Sequence, residues 1–225
     1  MKPLFCKLML LVLPVVLLPM GAVAQAQAQD TKGGDVAAGH NKAAMCIGCH
    51  GIKGYQASFP EVHKVPMISG QNAKYIASAL GAYRKGDRKH PTMRAIAGSL
   101  TDQDIADLAA FYEQDGGKTE NTAAAPTPSA DVAELLKKGA CTTCHGDNLN
   151  KPIDPSYPKL AGQFGDYLYV ALKAYKTEKN PNVGRVHPVM VAQVQQFKPA
   201  ELKALASYVA SMPSELKTVP QSKFK

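Results

Sequence analysis

Cys46-Ile47-Gly48-Cys49-His50 recurs downstream as Cys141-Thr142-Thr143-Cys144-His145. Two thiols separated by two residues, with an imidazole directly after the second, form the attachment pattern of a c-type haem. The thiols add across the haem vinyl groups, and the histidine is carried beneath the ring to ligate iron. Cys46, Cys49, Cys141 and Cys144 are therefore read as the covalent anchors of two haem c groups, and His50 and His145 as proximal ligands. A Cys-x-x-Cys pair can also be half of a zinc site, a redox disulfide or a structural bridge. Zinc asks for a second ligand pair at finger-like spacing, which a histidine adjoining the second cysteine does not supply. Four of the five cysteines belong to the two motifs, and the fifth, Cys6, lies in an N-terminal stretch read as a leader.

Outward from the motifs the chain repeats itself, and the repeat decides the architecture. Pro66-Met67-Ile68-Ser69-Gly70-Gln71 follows the first motif, and Pro158-Lys159-Leu160-Ala161-Gly162-Gln163 follows the second. Tyr75 and Tyr167 stand four residues beyond, Ala79-Leu80-Gly81-Ala82-Tyr83 matches Ala171-Leu172-Lys173-Ala174-Tyr175, and His90-Pro91-Thr92-Met93 matches His187-Pro188-Val189-Met190. The offset between equivalents drifts from 95 to 92 to 97 residues, so the halves differ by short loop insertions. Residues 115–130 are rich in turn formers and lack an apolar period, which marks a linker. The expected plan is a leader at 1–24, a first domain at 33–114, the linker, a second domain at 131–213 and a tail at 214–225. Each half is small for a self-sufficient core, so a covalently held haem serves as part of the core.

Periodicity makes the fold all-α. Ile105, Leu108, Ala109 and Tyr112 fall at i, i+3, i+4 and i+7, as do Leu202, Leu205, Ala206 and Val209. Thr101 with Asp104 signals a helix start, and Pro199 with Glu201 suits a first turn. Asp35 to Met45 and Asp131 to Lys138 read as helices leading into the motifs, and no stretch alternates as a strand.

The second axial ligand separates a carrier from a catalyst, because a methionine thioether closes the iron and raises its potential whereas an open position admits a small molecule. Met93 and Met190 are the candidates: they are equivalent in the repeat, 43 and 45 residues beyond their histidines, on a stretch read as a loop before the last helix. His90 and His187 are also equivalent and compete for the same role, and simple apolar packing is the third reading of the two methionines. Met67 faces Lys159 in the repeat and reads as packing.

Lys2 and Lys7, the apolar run Leu8 to Met20 and Ala22-Val23-Ala24 form a secretory leader cut after Ala24. The run is too short, and too broken by Pro14 and Pro19, to span a bilayer. Export suits haem attachment and places the mature chain in the periplasm. Losing Lys2 and Lys7 takes the formal charge from +8 to +6. Basic charge can indicate nucleic acid, but export and the lack of any binding motif exclude that class. Small clusters such as Arg84-Lys85 and Arg88-Lys89 read instead either as a docking face for acidic redox proteins or simply as a solubilising surface.

Taken together, the haem motif, the Pro-x-apolar-x-Gly-Gln segment, the methionine stretch and the terminal helix resemble the class I cytochromes c. Their duplication resembles the dihaem cytochrome c4 family over nearly all of residues 33 to 213. The resemblance implies that Pro66 and Pro158 offer their carbonyls to the His50 and His145 ring N–H groups. It also implies a pseudo-twofold between domains with haem propionate edges facing each other. The expected activity is single-electron transfer, without catalysis, from a quinol-oxidising complex or dehydrogenase to a terminal oxidase or reductase. The alternatives are a dedicated cytochrome subunit of a dehydrogenase, such as a sulfide-oxidising flavoprotein, and a small haem enzyme. The tail from Ser214 has no counterpart after the first domain.

Overall fold

The computed structural model describes residues 33–117 and 123–220; the expected leader with Cys6, the middle of the linker and the last five residues lie outside them. Both halves are helical. In the first, α1 (Val36–Lys42), α2 (Ala44–His50), α3 (Ala73–Lys85), α4 (Pro91–Gly98) and α5 (Asp102–Asp115) follow in order. The second answers with α6 (Ala130–Lys138), α7 (Cys141–His145), α8 (Gly165–Ala174), α9 (Pro188–Gln195) and α10 (Pro199–Ser211).

Helix α5 starts where the sequence signals it. Thr101 is the N-cap, its hydroxyl takes the Asp104 N–H, and the Asp104 carboxylate takes the Thr101 N–H at 2.9 Å. In α10, Pro199 occupies the first turn and Glu201 accepts from the Lys198 N–H at 2.6 Å. The predicted apolar stripes of both helices are buried. Around the first, Ala43, Ile76 and Phe111 complete a core, and around the second Leu168, Val194 and Phe197 do so. Helix α1 crosses α5 so closely that a Cβ at Gly39 would run into the Asp107 carbonyl. Buried Asp107 joins the two helices by accepting from the Asp35 N–H at 2.8 Å, the Lys42 ammonium at 2.6 Å and Gln103 at 2.8 Å.

Three local differences from the sequence reading matter for the sites. The helix expected over Asp35 to Met45 breaks at buried Ala43, and a separate helix α2 carries the first motif. In the second half the break falls at Ala140, which takes a left-handed backbone with φ of 45°. Strands do occur, each of two residues: β1 (Gln56–Ala57) pairs antiparallel with β2 (His63–Lys64), and β3 (Arg88–Lys89) pairs antiparallel with β4 (Gly184–Arg185). Strands this short leave no alternating pattern to read.

The β3–β4 ladder joins the two halves, with Arg88 opposite Arg185. Beside it the repeated glutamines reach across. Gln71 donates to the Lys159 carbonyl at 3.0 Å and accepts from the Lys159 N–H at 2.9 Å. Gln163 does the same with Met67, at 2.8 and 3.0 Å. Because Lys159 and Met67 are themselves equivalent in the repeat, these four bonds are related by a pseudo-twofold exchange. Ion pairs Lys64–Asp166, Lys74–Asp154 and Glu61–Lys173 extend the contact.

The tail is the asymmetric element. From α10 it crosses to the first half, where the Lys217 N–H donates to the Ser69 carbonyl at 3.0 Å and its ammonium to the Gly116 carbonyl at 2.6 Å. Leu216 is buried, and Glu215 pairs with Lys159 at 2.9 Å. Gly70 lets the strand of tail pass: its φ is +86°, and a Cβ there would lie 2.6 Å from the Glu215 carbonyl oxygen.

Candidate functional site

Each motif sits on a short helix whose last residue is the histidine. In the first half the His50 Nδ1 lies 2.8 Å from the Pro66 carbonyl oxygen; in the second the His145 Nδ1 lies 3.0 Å from that of Pro158. A carbonyl can only accept, so Nδ1 carries the proton and Nε2 keeps its lone pair for a metal. Burial pulls both imidazoles below the ordinary histidine range, against the opposing effect of the proline carbonyls, and so favours the neutral ligand form.

Cys46, Cys49, Cys141 and Cys144 are half-buried and form no disulfide. Burial pushes the Cys46 and Cys141 thiols up, so both remain un-ionised at neutral pH. No group of three or more His, Cys, Asp or Glu among the described residues is arranged around a common metal position. The Tyr112 hydroxyl is buried with only the weakly accepting Cys46 sulfur beside it and no true hydrogen-bond partner. Paired thiols, a neutral imidazole with a free Nε2 and an orphaned phenol at the same place fit a covalently bound haem. The second half repeats all but the phenol, with Val209 at the place of Tyr112.

Met93 and Met190 are half-buried in the first turns of α4 and α9, so the stretch expected as a loop is a short helix in each half. Pro91 and Pro188 start these helices, since a proline at the first helical position sacrifices no hydrogen bond. Their competitors differ between the halves. The His90 Nδ1 accepts from the Met93 N–H at 3.4 Å and its ring packs edge-on against Phe59, whereas His187 is exposed and holds the N-cap place of α9 without a side-chain cap bond. Met190 also packs against the core around Val194 and Phe197. Met67 is half-buried, and both its backbone polar groups are taken by Gln163.

Sequence reading treated Arg88 as part of an outward basic cluster. Here its guanidinium donates to the Tyr75 hydroxyl at 2.9 Å and lies over the rings of Tyr75 and Tyr83. Arg185 does the same with Tyr167, at 3.1 Å, and lies over Tyr167 and Tyr175. The signal was present: all six residues are equivalent pairs in the repeat. The large exposed apolar residues include Ile52, Tyr55, Phe59 and Val62 just after the first motif, and Ile153, Val186 and Val189 in the second half. Among the described residues no helix is long and apolar enough to cross a membrane.

A family model described as cytochrome c matches residues 36–114 and 129–213. Cytochrome c4 of Azotobacter vinelandii is 28% identical over 196 residues, covering 80% of this chain and 90% of that one. The thiosulfate dehydrogenase electron acceptor of Stutzerimonas stutzeri strain A1501 is 31% identical over 210 residues, covering 84% and 88%. The structure of reduced cytochrome c4 from Pseudomonas stutzeri matches with a TM-score of 0.58 at 24% identity, over 80% of this chain and 100% of that chain, and shares the fold.

Proposed function

The chain belongs to the cytochrome c family, and from that premise we propose a periplasmic carrier that moves electrons singly from a quinol-oxidising complex or dehydrogenase to a terminal oxidase or reductase. At the coarser level it is a dihaem electron carrier with two covalently attached haem c groups. Bound haem supplies the ferric–ferrous couple. Cys46 and Cys49 would hold one haem and Cys141 and Cys144 the other, with His50 and His145 as proximal ligands and Met93 and Met190 as distal ones. Pro66 and Pro158 act on the histidines: by accepting the Nδ1 proton they fix the ring and raise the basicity of Nε2. The cores around α5 and α10 exclude water from beneath each site, and exposed Ile52, Val62 and Val189 provide apolar area for transient docking.

The observation that carries this reading is the paired arrangement of motif, histidine and proline carbonyl, at 2.8 and 3.0 Å, in both halves of one interface-linked chain. The test is the optical spectrum of the ferric protein, quantified per haem. Two haems per chain and full intensity of the weak sulfur-to-iron charge-transfer band are expected. Half intensity, or none, would remove methionine from at least one iron and move a haem enzyme or ligand switch to the front.

A second reading is favoured by the 31% identical relative named as the electron acceptor of thiosulfate dehydrogenase: a carrier dedicated to one dehydrogenase. Stable co-purification with a single dehydrogenase would support it, and equal reduction of several acceptors by a free monomer would oppose it.

A further inference from the structure

The joint between the halves is built largely from groups that do not distinguish one half from the other. Across it, Gln71 and Gln163 bond only to backbone, at Lys159 and at Met67, and every residue but proline offers the same N–H and C=O groups. A first half facing a second copy of itself would find at Met67 what Gln71 takes from Lys159. The β3–β4 ladder is likewise a backbone pairing. Pairing of like with like would be open-ended, because each chain would leave its other half exposed to a further chain.

Side-chain charge breaks this ambiguity. Among the described residues the ion pairs that cross between the halves are Lys74–Asp154 at 3.2 Å, Lys64–Asp166 at 3.2 Å and Glu61–Lys173. Lys74 and Asp166 are equivalent: each directly precedes the repeated tyrosine, in the first turn of its helix. Each reaches the segment ahead of the other half's repeated proline, where Lys64 lies two residues before Pro66 and Asp154 four before Pro158. The same contact is therefore made twice with its charges exchanged. A pair of first halves would set Lys74 against Lys64, and a pair of second halves Asp166 against Asp154. Lys173 stands at the place of Gly81, so the third ion pair also has no equivalent in either like pairing. Helix preference does not explain the sign of Lys74. A cation in the first turn opposes the helix dipole, and Asp166 carries the favoured sign at the same place.

We infer that these exchanged charges choose the partner of each half: the joint is a recognition surface that accepts a first half on a second half and rejects a second copy of either. An exposed opposite-charge pair contributes about twofold to an equilibrium constant, and a like-charged contact costs about the same factor. Turning two mixed pairs into one of each like pair converts every Lys74 and Asp166 contact from attraction to repulsion, a bias on the order of a hundredfold. The ratio of like to mixed pairs follows the square root of that bias, about tenfold.

The experiment starts from the full-length holoprotein with a protease site placed in the linker at residues 118–122 and cut after assembly. The two pieces differ in mass, so native mass spectrometry counts mixed and like pairs after equilibration. Mixed pairs should dominate in the parent. Lys64→Asp with Asp166→Lys makes every pairing complementary, and the ratio of like to mixed pairs should rise about tenfold. Adding Lys74→Asp and Asp154→Lys exchanges all four charges and should restore the parent ratio, which loss of local packing would not do. A ratio unmoved by the first double variant would overturn the inference, and so would failure of the fourfold reversal to restore it. If the cut pieces do not stay folded apart, the intact chain decides. There Lys74→Asp alone sets two carboxylates together, as in a pair of second halves. Amide exchange at Lys159 and Met67 should then quicken about fourfold, and Asp154→Lys should reverse most of it. Unchanged exchange in Lys74→Asp would refute the selection by charge.

Discussion

Truncating Gln71 to alanine should loosen the joint between the halves by an amount the geometry sets. Gln71 is buried, with only 4% of its surface exposed, and its amide makes three hydrogen bonds. One is accepted from the neighbouring Asn72 N–H at 3.1 Å, just ahead of α3, and two go to Lys159 across the interface. Gln163 repeats this set with Phe164 at 3.0 Å and with Met67. Removing either side chain orphans one backbone N–H and one carbonyl in the other half. A buried polar group left without its partner costs about 1–3 kcal/mol, and water can reclaim part of this at a domain boundary. We expect about 2–4 kcal/mol of local opening free energy for each variant, which is about 30-fold to about 700-fold in an equilibrium constant. Native-state hydrogen exchange reads this at single amides: Gln71→Ala should accelerate the Lys159 amide, and Gln163→Ala the Met67 amide. Gln71→Glu keeps the acceptor but turns an oxygen toward the Lys159 carbonyl, so it should also weaken the joint. Exchange at Lys159 and Met67 within twofold of the parent in both variants would refute the reasoning. So would acceleration confined to the mutated half, because that would make the glutamines local braces of their own halves rather than a reciprocal joint.

Other expectations follow from the same geometry. Met93→Ala should lower the potential of the haem held by Cys46 and Cys49 alone, and Met190→Ala that of the other, since thioether ligation raises the potential; unchanged values in both would discard the ligand assignment. Acid should unfold the protein through its paired carboxylates. The Asp35 N–H and then Lys42 hold Asp107 below the ordinary carboxylate range, and the Ser156 hydroxyl, aided by Lys74, brings Asp154 to about 2. Depressed folded pKa values contribute stability that is present above about pH 4 and is lost as pH falls toward about 2. The thermal midpoint should decline over that window and decline less in Asp107→Asn; a flat profile would contradict the assignment. Ending the chain at Pro213 removes buried Leu216 and both Lys217 contacts, for a loss of about 2–4 kcal/mol from apolar burial and hydrogen bonding. An unchanged denaturant midpoint would show that the tail is not a strap.

Much of this molecule is legible in one dimension because covalent chemistry and helical period are local. The motifs at Cys46 and Cys141 specify the thiols and imidazoles by adjacency alone. The period of Ile105, Leu108, Ala109 and Tyr112 announces the buried face of α5, and Thr101 with Asp104 its start. The internal repeat adds equivalence, which is why Met93 and Met190 can be paired from sequence. Equivalence does not say what a residue touches. Gln71 and Lys159 are 88 residues apart and Gln163 and Met67 are 96 apart, so only the packed halves reveal that each glutamine serves the other's backbone. Arg88 reads as one more surface charge until β3 and β4 pair, because burial is a property of the assembled interface and not of the residue. The tail likewise matches nothing in the first half, and its purpose appears only where Lys217 reaches Ser69 and Gly116. Local bonding and periodicity were determined by the sequence itself; desolvation and long-range pairing were decided by the tertiary structure, since both depend on which surfaces exclude water from each other.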